Sequence, residues 1–456
     1  MKLEAIHFRH TYHFADLKIN FDYKNKPVTL IVGDQASGKT AIIKNIFQAL
    51  TWFPARLKDL RTPGVVMADQ DIMIDRVQSK IDVNISFPTE MGQLPESDAI
   101  VEKDIQHCEW QLYKTLNSLG VGTSKVELAQ LEQLTELYNK IIRNDPIQGL
   151  PLLAYFPAER FVNEMNLLSK NNPLVLHAHN AYDLAPIPYT TFARFFEWFR
   201  EICDIENAQS AQLFQTIIEQ KNQPNKSIEE LQNLLYQAHS QLHAPSLQAL
   251  KKCLNIVIPE VTDIFLEYHP KLQLMVTYKD KTISYQQLSN TVKNWLGLIG
   301  DLVRRACLLN PLSLYPCEEA EGILLIDQID ADLDQFSIQV ILDRLTQAFP
   351  RLQIIATASS EELLNQADEY QCFKLENKQL NLIQANSVWQ EYQHIYENLL
   401  KELPENSEQQ LTEPNMLSVN AQQLFQQFQS LNQEQQAELK RLIQSDDGQT
   451  SKTSLL

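Results

Sequence analysis

The chain has 456 residues, of which 44% are hydrophobic, and carries a formal net charge of −18 at pH 7. This length predicts two or three domain-sized units, and the acidic balance disfavours a protein that holds DNA through its overall electric field. No apolar run reaches the roughly 20 residues that cross a bilayer and Met1–Glu4 lack the pattern of a signal peptide, so we expect a cytoplasmic protein without a membrane partner.

Residues 1–34 alternate between apolar and polar side chains, which predicts antiparallel strands that lead into a glycine-rich loop. The loop follows an apolar strand and reads Gly33-Asp34-Gln35-Ala36-Ser37-Gly38-Lys39-Thr40. Its glycines let backbone N–H groups surround phosphates, while Lys39 offers a charge to the β- and γ-phosphates and Thr40 offers a hydroxyl to Mg²⁺. Apolar residues at 42, 43, 46, 47 and 50 predict a helix packed on a sheet. We therefore predict a site for ATP and Mg²⁺.

The segments after this helix predict a strand-rich opening lobe and then a helical insertion. Alternating residues at 81–87 and 108–113 indicate strands, a helical stretch covers 126–142, and an apolar strand follows at 151–156. Residues 192–254 have a mostly helical pattern, which is interrupted by a predicted turn rich in Asn and Pro.

The second half of the chain predicts an α/β lobe that returns to the nucleotide. A helix is predicted from about residue 290 to 309, and the apolar strand Ile323–Ile326 ends at Asp327, the expected magnesium carboxylate. Gln328 stands where a glutamate normally polarises the attacking water. Most of the chain separates the phosphate loop from Asp327, which favours a two-lobed ABC-type head over an AAA+ or Ras-like core.

The composition changes towards the end of the chain. Residues 401–456 are rich in glutamine, and their apolar stripe leaves local packing and partner docking as alternatives. The six cysteines form no close pair, which predicts reduced thiols. We divide the chain into a first head segment with the phosphate loop (1–185), a helical insertion (186–260), a second head segment (261–400) and a helical or partly disordered tail (401–456).

Several segments resemble the ABC/SMC-like ATPases of bacterial anti-phage systems, specifically the PtuA subunit of Septu and retron-associated defence. The matching segments are Asp16–Asp22, Thr51–Phe53, Leu152–Arg160, Phe195–Glu201, Gln287–Pro311 and Leu325–Asp330. The resemblance implies an ABC/SMC-type α/β head that forms a homodimer or higher homo-oligomer, with ATP sandwiched between subunits. It also implies an HNH-type nuclease subunit as partner and contact with nucleic acid through the complex, because this chain contains no nuclease motif.

Three positions depart from the active members of that family. The signature-like motif is Leu288-Ser289-Asn290-Thr291, in which Thr291 stands where glycine normally lets the backbone approach the γ-phosphate. The position of the switch histidine aligns with Ala358, and the glutamine at 328 cannot take a proton from water. These departures predict that nucleotide binding is intact and that hydrolysis is slow or absent.

Other side chains have candidate roles within the same resemblance. Asp330 or Asp332 is the alternative base in place of the missing glutamate. Gln70 falls where a glutamine of an ABC head contacts magnesium or water, and Arg9 is a candidate for nucleotide contact; a solvated side chain is the alternative for both. The signature helix carries three charges that predict a partner-facing or solvent-facing stripe: Asp301, Arg304 and Arg305.

The sequence leaves three functions open. The first is a regulatory ATP-binding subunit of an anti-phage defence complex, with impaired hydrolysis, that controls or positions a nuclease. The second is a DNA-repair or chromosome-associated ATPase of the RecF/SMC kind, which would turn over ATP and bind DNA directly. The third is a scaffold in which the nucleotide is structural and permanently bound.

Overall fold

The computed structural model describes residues 1–92, 94, 105–145, 148–160, 178–182, 192–221 and 245–383. The chain divides into two units, Met1–Val388 and Trp389–Leu456. The second unit, and with it the tail predicted for 401–456, lies outside the described residues. Within the described ranges, no helix is long and apolar enough to cross a membrane.

A five-stranded antiparallel sheet forms the strand-rich lobe that the alternating sequence predicts. In spatial order its strands are β2 (Phe14–Asn20), β1 (Lys2–Thr11), β4 (Gln78–Pro88), β5 (Ile105–Leu116) and β6 (Gly122–Glu127). Alternate residues are buried, such as Ile6 and Phe8 in β1 and Ile81 and Val83 in β4. This period of two places one face of the sheet on the core and leaves the other face polar.

A six-stranded sheet carries the phosphate loop on one of its central strands. In spatial order its strands are β14 (Gln379–Ile383), β13 (Gln371–Glu376), β3 (Val28–Val32), β12 (Leu352–Ala358), β11 (Gly322–Ile326) and β7 (Leu152–Phe156). All neighbours are parallel except the edge pair β13–β14. Every residue of β3, β11 and β12 is buried, as expected for parallel strands that are covered on both faces.

Helices cover this sheet and connect its strands. Those in the described ranges are α1 (Lys39–Leu50), α2 (Trp52–Lys58), α3 (Ala129–Asn144), α4 (Ala193–Lys221), α5 (Pro245–Val257), α6 (Asn290–Leu309), α7 (Pro316–Glu319) and α8 (Gln335–Ala348). Helix α1 contacts β11 and β12, and its apolar positions predicted from periodicity are buried. Helices α4 and α5 occupy the described parts of the region that was predicted to be helical.

A small third sheet leads into the signature-like turn. Its antiparallel strands are β8 (Val261–Glu267), β9 (Gln273–Tyr278) and β10 (Lys281–Ser284), and α6 begins shortly after β10. The strand-rich sheet and the mixed α/β lobe together confirm the predicted ABC/SMC-type head. Because β3, β12, β11 and β7 are parallel neighbours, their carboxyl ends meet at one edge of the sheet, where ligands of such folds bind.

Candidate nucleotide-binding site

The phosphate loop connects the end of β3 to the start of α1, and two of its positions leave no room for a side chain. Gly38 has φ 109°, in the left-handed region, and a Cβ built there would lie 2.8 Å from Phe14 Cζ. A Cβ at Gly33 would lie 2.7 Å from the carbonyl oxygen of Leu375. Both positions therefore require glycine, as the sequence argument assumes. The hydroxyl of Ser37 is buried and has no hydrogen-bond partner in the described part of the chain.

Lys39, the first residue of α1, holds its ammonium group against the loop. Its Nζ donates a hydrogen bond to the carbonyl oxygen of Asp34 at 2.7 Å and another to that of Gly33. Burial lowers the pKa of Lys39, and the carboxylates of Asp330, Asp327 and Asp34 oppose this shift. The loop thus presents a partly desolvated cation, which favours binding of an anionic phosphate group.

Asp327 follows β11 and has the properties expected of a magnesium ligand. The residue is 0% exposed, and Thr357 Oγ1 donates a hydrogen bond to Asp327 Oδ1 at 2.5 Å. Asp327 Oδ2 is buried and has no hydrogen-bond partner among the described residues. A buried carboxylate oxygen of this kind is costly unless a cation satisfies it. Mg²⁺ commonly binds one or two carboxylates together with substrate phosphates and water.

A cavity of about 560 Å³ brings the predicted magnesium residues together. Thr40 and Asp327 both line it, as do Gln70 and Gln328. Its remaining walls come from α1, from the segment before β4 and from the end of β7, through Lys44, Phe47, Gln48, Val65, Val66, Ala68, Asp71, Tyr155, Pro157, Ala158 and Glu159. The rings of Phe47 and Tyr155 stack with centroids 4.6 Å apart, which gives this cavity an aromatic wall.

Gln328 occupies a strained backbone position at the edge of this cavity. Its φ is 47°, in the left-handed region that a residue with a side chain rarely adopts. The backbone N–H of Gln328 donates to Thr357 Oγ1 at 2.8 Å, so a single threonine hydroxyl contacts both Gln328 and the Asp327 carboxylate. This arrangement fixes the backbone of Gln328 and so the position of its Cα. The amide side chain, however, has no basic group that could take a proton from water.

Two residues in the short segment after β7, Glu159 and Arg160, belong to this site and received no role from the sequence. The guanidinium of Arg160 donates to the carbonyl oxygen of Asp327 at 2.6 Å and to that of Gln328 at 2.9 Å. Burial lowers the pKa of Arg160, and the carboxylates of Asp327, Asp332 and Asp330 oppose this shift. Glu159, the preceding residue, lines the cavity.

The sequence did contain a signal for this pair. Glu159 and Arg160 lie in the segment that follows a buried strand, beyond Pro157 and Ala158, and parallel strands deliver site residues at this end. The signal becomes specific only once β7 is known to lie beside β11, with Phe156 opposite Ile326. Nothing in the spacing of the two strands along the chain reveals that pairing.

The carboxylates proposed as substitute bases are placed differently. Asp330 Oδ2 accepts hydrogen bonds from the backbone N–H groups of Ser359 and Ser360, both at 2.8 Å. The carbonyl oxygen of Asp332 accepts a hydrogen bond from Thr291 Oγ1 at 3.1 Å. Neither Asp330 nor Asp332 is among the residues that line the cavity. Their positions give no support to either residue as the missing base.

The signature-like turn lies at the start of α6 and is partly exposed. Ser289 is the N-cap residue of this helix, and its Oγ accepts a hydrogen bond from the backbone N–H of Val292 at 3.3 Å. The side chain of Leu288 is buried, whereas Ser289 and Asn290 are exposed. Thr291 Oγ1 donates a hydrogen bond to the carbonyl oxygen of Asp332, in the loop that follows Asp327. The signature-like turn therefore contacts the segment next to the expected magnesium ligand.

The remaining candidates lie at other positions. Ala358 is buried at the end of β12, and its carbonyl oxygen accepts a hydrogen bond from the N–H of Gly33 at 3.3 Å. Arg9 lies on β1, where its Nη2 is 3.5 Å from Asp82 Oδ2, and it is not among the residues that line the cavity. These contacts leave Arg9 on the polar face of the antiparallel sheet.

The charged stripe of α6 is the clearest correction to the sequence analysis. Asp301 is 4% exposed and Arg304 1% exposed, so these residues face neither solvent nor a partner. Asp301 forms ion pairs with Arg304 at 2.9 Å and with Arg305 at 2.8 Å. The two guanidinium groups also donate to the backbone carbonyls of Asn180 and Ala181. The stripe is a buried network that holds a neighbouring segment, not a docking surface.

The chain is similar in sequence to one known family and to known proteins. The AAA_23 family, described as an AAA domain, matches residues 2–243. The chain is 25% identical over 412 residues to the retron Ec83 probable ATPase of Escherichia coli, an alignment that covers 83% of this chain and 72% of that protein. It is 24% identical over 385 residues to the retron Vc95 probable ATPase of Vibrio cholerae serotype O1 biovar El Tor, which covers 76% and 68%.

Solved structures that resemble the fold include an Smc head domain and a recombination mediator protein. The Smc head domain with an extended coiled coil from Pyrococcus furiosus aligns with 87% of this chain and 99% of its own, at 12% identity and a TM-score of 0.43. The recombination mediator protein RecF aligns with 84% of this chain and 98% of its own, at 12% identity and a TM-score of 0.36.

Proposed function

This chain belongs to the AAA_23 family of AAA domains, and we propose that it is the ATP-binding regulatory subunit of a bacterial anti-phage defence complex. In this proposal the bound nucleotide, and not rapid turnover, controls or positions a partner nuclease. The similarity to two retron probable ATPases supports the biological setting. The more specific assignment to PtuA of Septu rests on the sequence segments described above.

One observation carries the proposal of magnesium-dependent nucleotide binding. Asp327, whose Oδ2 is unsatisfied, lines the same cavity as Thr40, and Thr40 ends a loop in which Gly33 and Gly38 leave no room for a side chain. Thr40 and Asp327 would hold Mg²⁺, with Gln70 as a further candidate on the same cavity, and Lys39 with the loop backbone would hold the β- and γ-phosphates. The metal, when bound, supplies charge neutralisation of the phosphate oxygens.

Slow hydrolysis follows from the side chains that surround this site. Gln328 can orient a water molecule but cannot accept its proton, and loss of general-base assistance costs about 10²–10⁴ in rate. Ala358 offers no side-chain hydrogen bond at the position of the switch histidine. A long-lived ATP-bound state suits a switch in which bound nucleotide determines how much of the protein adopts each conformation.

Assembly is the other part of the proposal. We propose a face-to-face homodimer or higher homo-oligomer in the cytoplasm, with Leu288-Ser289-Asn290-Thr291 presented to the nucleotide of the other subunit. The exposed side chains of Ser289 and Asn290 are available for such a contact. An HNH-type nuclease is the proposed partner, and nucleic acid is reached through the complex. The segments 1–185, 186–260, 261–400 and 401–456 remain the proposed domain division.

Nucleotide binding and single-turnover phosphate release by the purified full-length chain test this function. We expect Mg²⁺-dependent ATP binding, at least tenfold weaker binding by Lys39→Ala, and slow release of phosphate by the wild-type chain. Lys18→Ala, which removes an exposed lysine of β2, is the matched control and should bind ATP as the wild type does. Gln328→Glu should raise the release rate, because a proton acceptor then stands at the usual base position.

Each rival function gives a distinct outcome in these measurements or in sedimentation of the chain with ATP and with ADP. Equal ATP affinity in wild type and Lys39→Ala would contradict the nucleotide site. Rapid phosphate release that Gln328→Ala leaves unchanged would contradict impaired hydrolysis and favour an active ATPase of the RecF/SMC kind. Assembly that is identical with ATP and ADP would point to a scaffold with a structural nucleotide.

A further inference from the structure

The end of β7 places a carboxylate on the wall of the nucleotide cavity. Glu159 lines this cavity together with Thr40, Asp327 and Gln328. Its side chain is exposed, and it forms no hydrogen bond or ion pair with any residue in the described ranges. Glu159 is thus a free acidic group on the cavity that holds the magnesium residues.

The other carboxylates on or near this cavity are already engaged. Asp71 Oδ2 accepts hydrogen bonds from the backbone N–H of Ala68 at 2.7 Å and from Gln48 Nε2 at 3.4 Å. Asp330 Oδ2 accepts two backbone N–H groups, and Asp327 is the carboxylate assigned to the metal. Of the acidic residues that line the cavity, only Glu159 is without such a partner in the described part of the chain.

The backbone next to Glu159 is anchored to the segment that carries Gln328. Arg160 Nη1 and Nη2 donate to the carbonyl oxygens of Asp327 and Gln328, at 2.6 and 2.9 Å, and β7 pairs in parallel with β11. A charge-assisted pair of hydrogen bonds from one planar guanidinium restricts distance and orientation together. These bonds and the β7–β11 pairing keep the backbone next to Glu159 beside the segment that carries Gln328.

We propose that Glu159 is the general base for the residual ATP hydrolysis of this chain, an inference that rests on the proposed function. A water oxygen forms a bond to the γ-phosphorus, and the bond from the γ-phosphorus to the β–γ bridging oxygen breaks. One water proton passes to the carboxylate of Glu159 and is then released to solvent. The products are ADP and inorganic phosphate. Gln328 orients the water, and Glu159 supplies the proton acceptor that the amide lacks.

The test measures ATP affinity and single-turnover phosphate release by the full-length chain. We expect Glu159→Gln to lower the release rate by at least 10²-fold, because its amide accepts no proton, while ATP affinity stays within twofold of wild type. Glu260→Gln, which changes an exposed glutamate outside the cavity, is the matched control and should release phosphate at the wild-type rate. Gln328→Glu combined with Glu159→Gln should restore release, because the usual base position is then filled.

A second measurement separates a chemical role from a structural one. Glu159→Ala should regain part of its release rate when formate is added, because a small carboxylate can enter the space left by the side chain. Unchanged release in Glu159→Gln, or no formate rescue of a folded, ATP-binding Glu159→Ala, would overturn the inference. In either case Mg²⁺-ATP binding that depends on Lys39 would leave the proposed function intact, whereas loss of that dependence would refute the proposed function itself.

Discussion

The two carboxylate oxygens of Asp327 differ in their hydrogen bonding. Oδ1 is satisfied by Thr357, whereas Oδ2 is buried without a partner in the described ranges. An unsatisfied buried group costs about 1–3 kcal/mol, and more when it is charged. The protein without ligand therefore carries an energetic cost that a bound cation can remove, which makes this residue the most direct link between stability and nucleotide.

We expect Asp327→Asn to abolish the thermal stabilisation that depends on magnesium. Mg²⁺-ATP at 100 times its Kd stabilises a folded protein by about 2.7 kcal/mol. In Asp327→Asn the melting-temperature shift with ATP and Mg²⁺ should be no larger than the shift with ATP and a chelator. Asp280→Asn, at an exposed turn, should keep the full wild-type shift. A magnesium-dependent shift of wild-type size in Asp327→Asn would contradict the assignment of the metal ligand.

Single residues were predictable where a local motif carries the chemistry. The loop Gly33–Thr40 and Asp327 are recognisable because strand, glycine spacing and charged residue lie close together in sequence. Arg160 and Glu159 act through a strand that is adjacent only in space. The burial of Asp301 was missed for the same reason, because the backbone carbonyls that bind its partners Arg304 and Arg305 come from a segment far away along the chain.

Helix α6 depends on its buried charges for stability. Burial alone would raise the pKa of Asp301, but the guanidinium groups of Arg305 and Arg304 outweigh burial and lower it. A depressed carboxyl pKa contributes stability above the unfolded-state pKa of about 3.9, and this contribution is lost as the pH falls through the folded-state pKa. The network is therefore fully effective at neutral pH.

Breaking this network should be strongly destabilising. We expect Asp301→Ala to lower the free energy of unfolding by about 3–5 kcal/mol at pH 7, because two guanidinium groups remain buried without their carboxylate. Asp263→Ala removes a half-exposed ion pair with Lys251 and should cost less than about 1 kcal/mol. Chemical denaturation of both variants at pH 7 and in acid measures the difference. Equal costs at pH 7, or an Asp301→Ala penalty that grows in acid, would contradict this account.

The elements that periodicity predicts are those with one continuous apolar face. Helix α1 and the strands β1 and β2 were anticipated because their buried residues recur at regular spacing. The charged face of α6 was misread because the sequence pattern of a buried ion network is the same as that of a solvated surface. Only the packing of neighbouring segments distinguishes these two cases.

The exposed signature-like turn is the proposed contact between two chains. Two molecules that each carry a formal charge of −18 repel one another, and salt at about 0.15 M shortens the screening distance to about 8 Å. At that salt concentration we expect ATP with Mg²⁺ to convert the wild-type chain to a dimer. Ser289→Arg should remain monomeric while it binds ATP normally, because its bulk occupies the proposed contact.

Sedimentation measures this dimer directly. Lys39→Ala should remain monomeric because it lacks nucleotide, and Lys125→Arg, at an exposed position of β6, should dimerise as the wild type does. A Ser289→Arg chain that dimerises with wild-type affinity would exclude the face-to-face arrangement. The two-lobed architecture itself was predictable from the distance between the phosphate loop and Asp327 along the chain, but which faces meet is a property of surfaces that periodicity does not report.

The order of the parallel strands β3, β12, β11 and β7 also determines which parts of the chain can vary in length. The carboxyl ends of three different strands carry the phosphate loop, the metal carboxylate and Glu159. The hydrogen bonds between these strands therefore set the positions of the three groups relative to one another. Connecting segments can then gain or lose residues without changing the chemistry, as surface connections generally do. A segment between two of these strands can therefore differ in length while the site keeps its geometry.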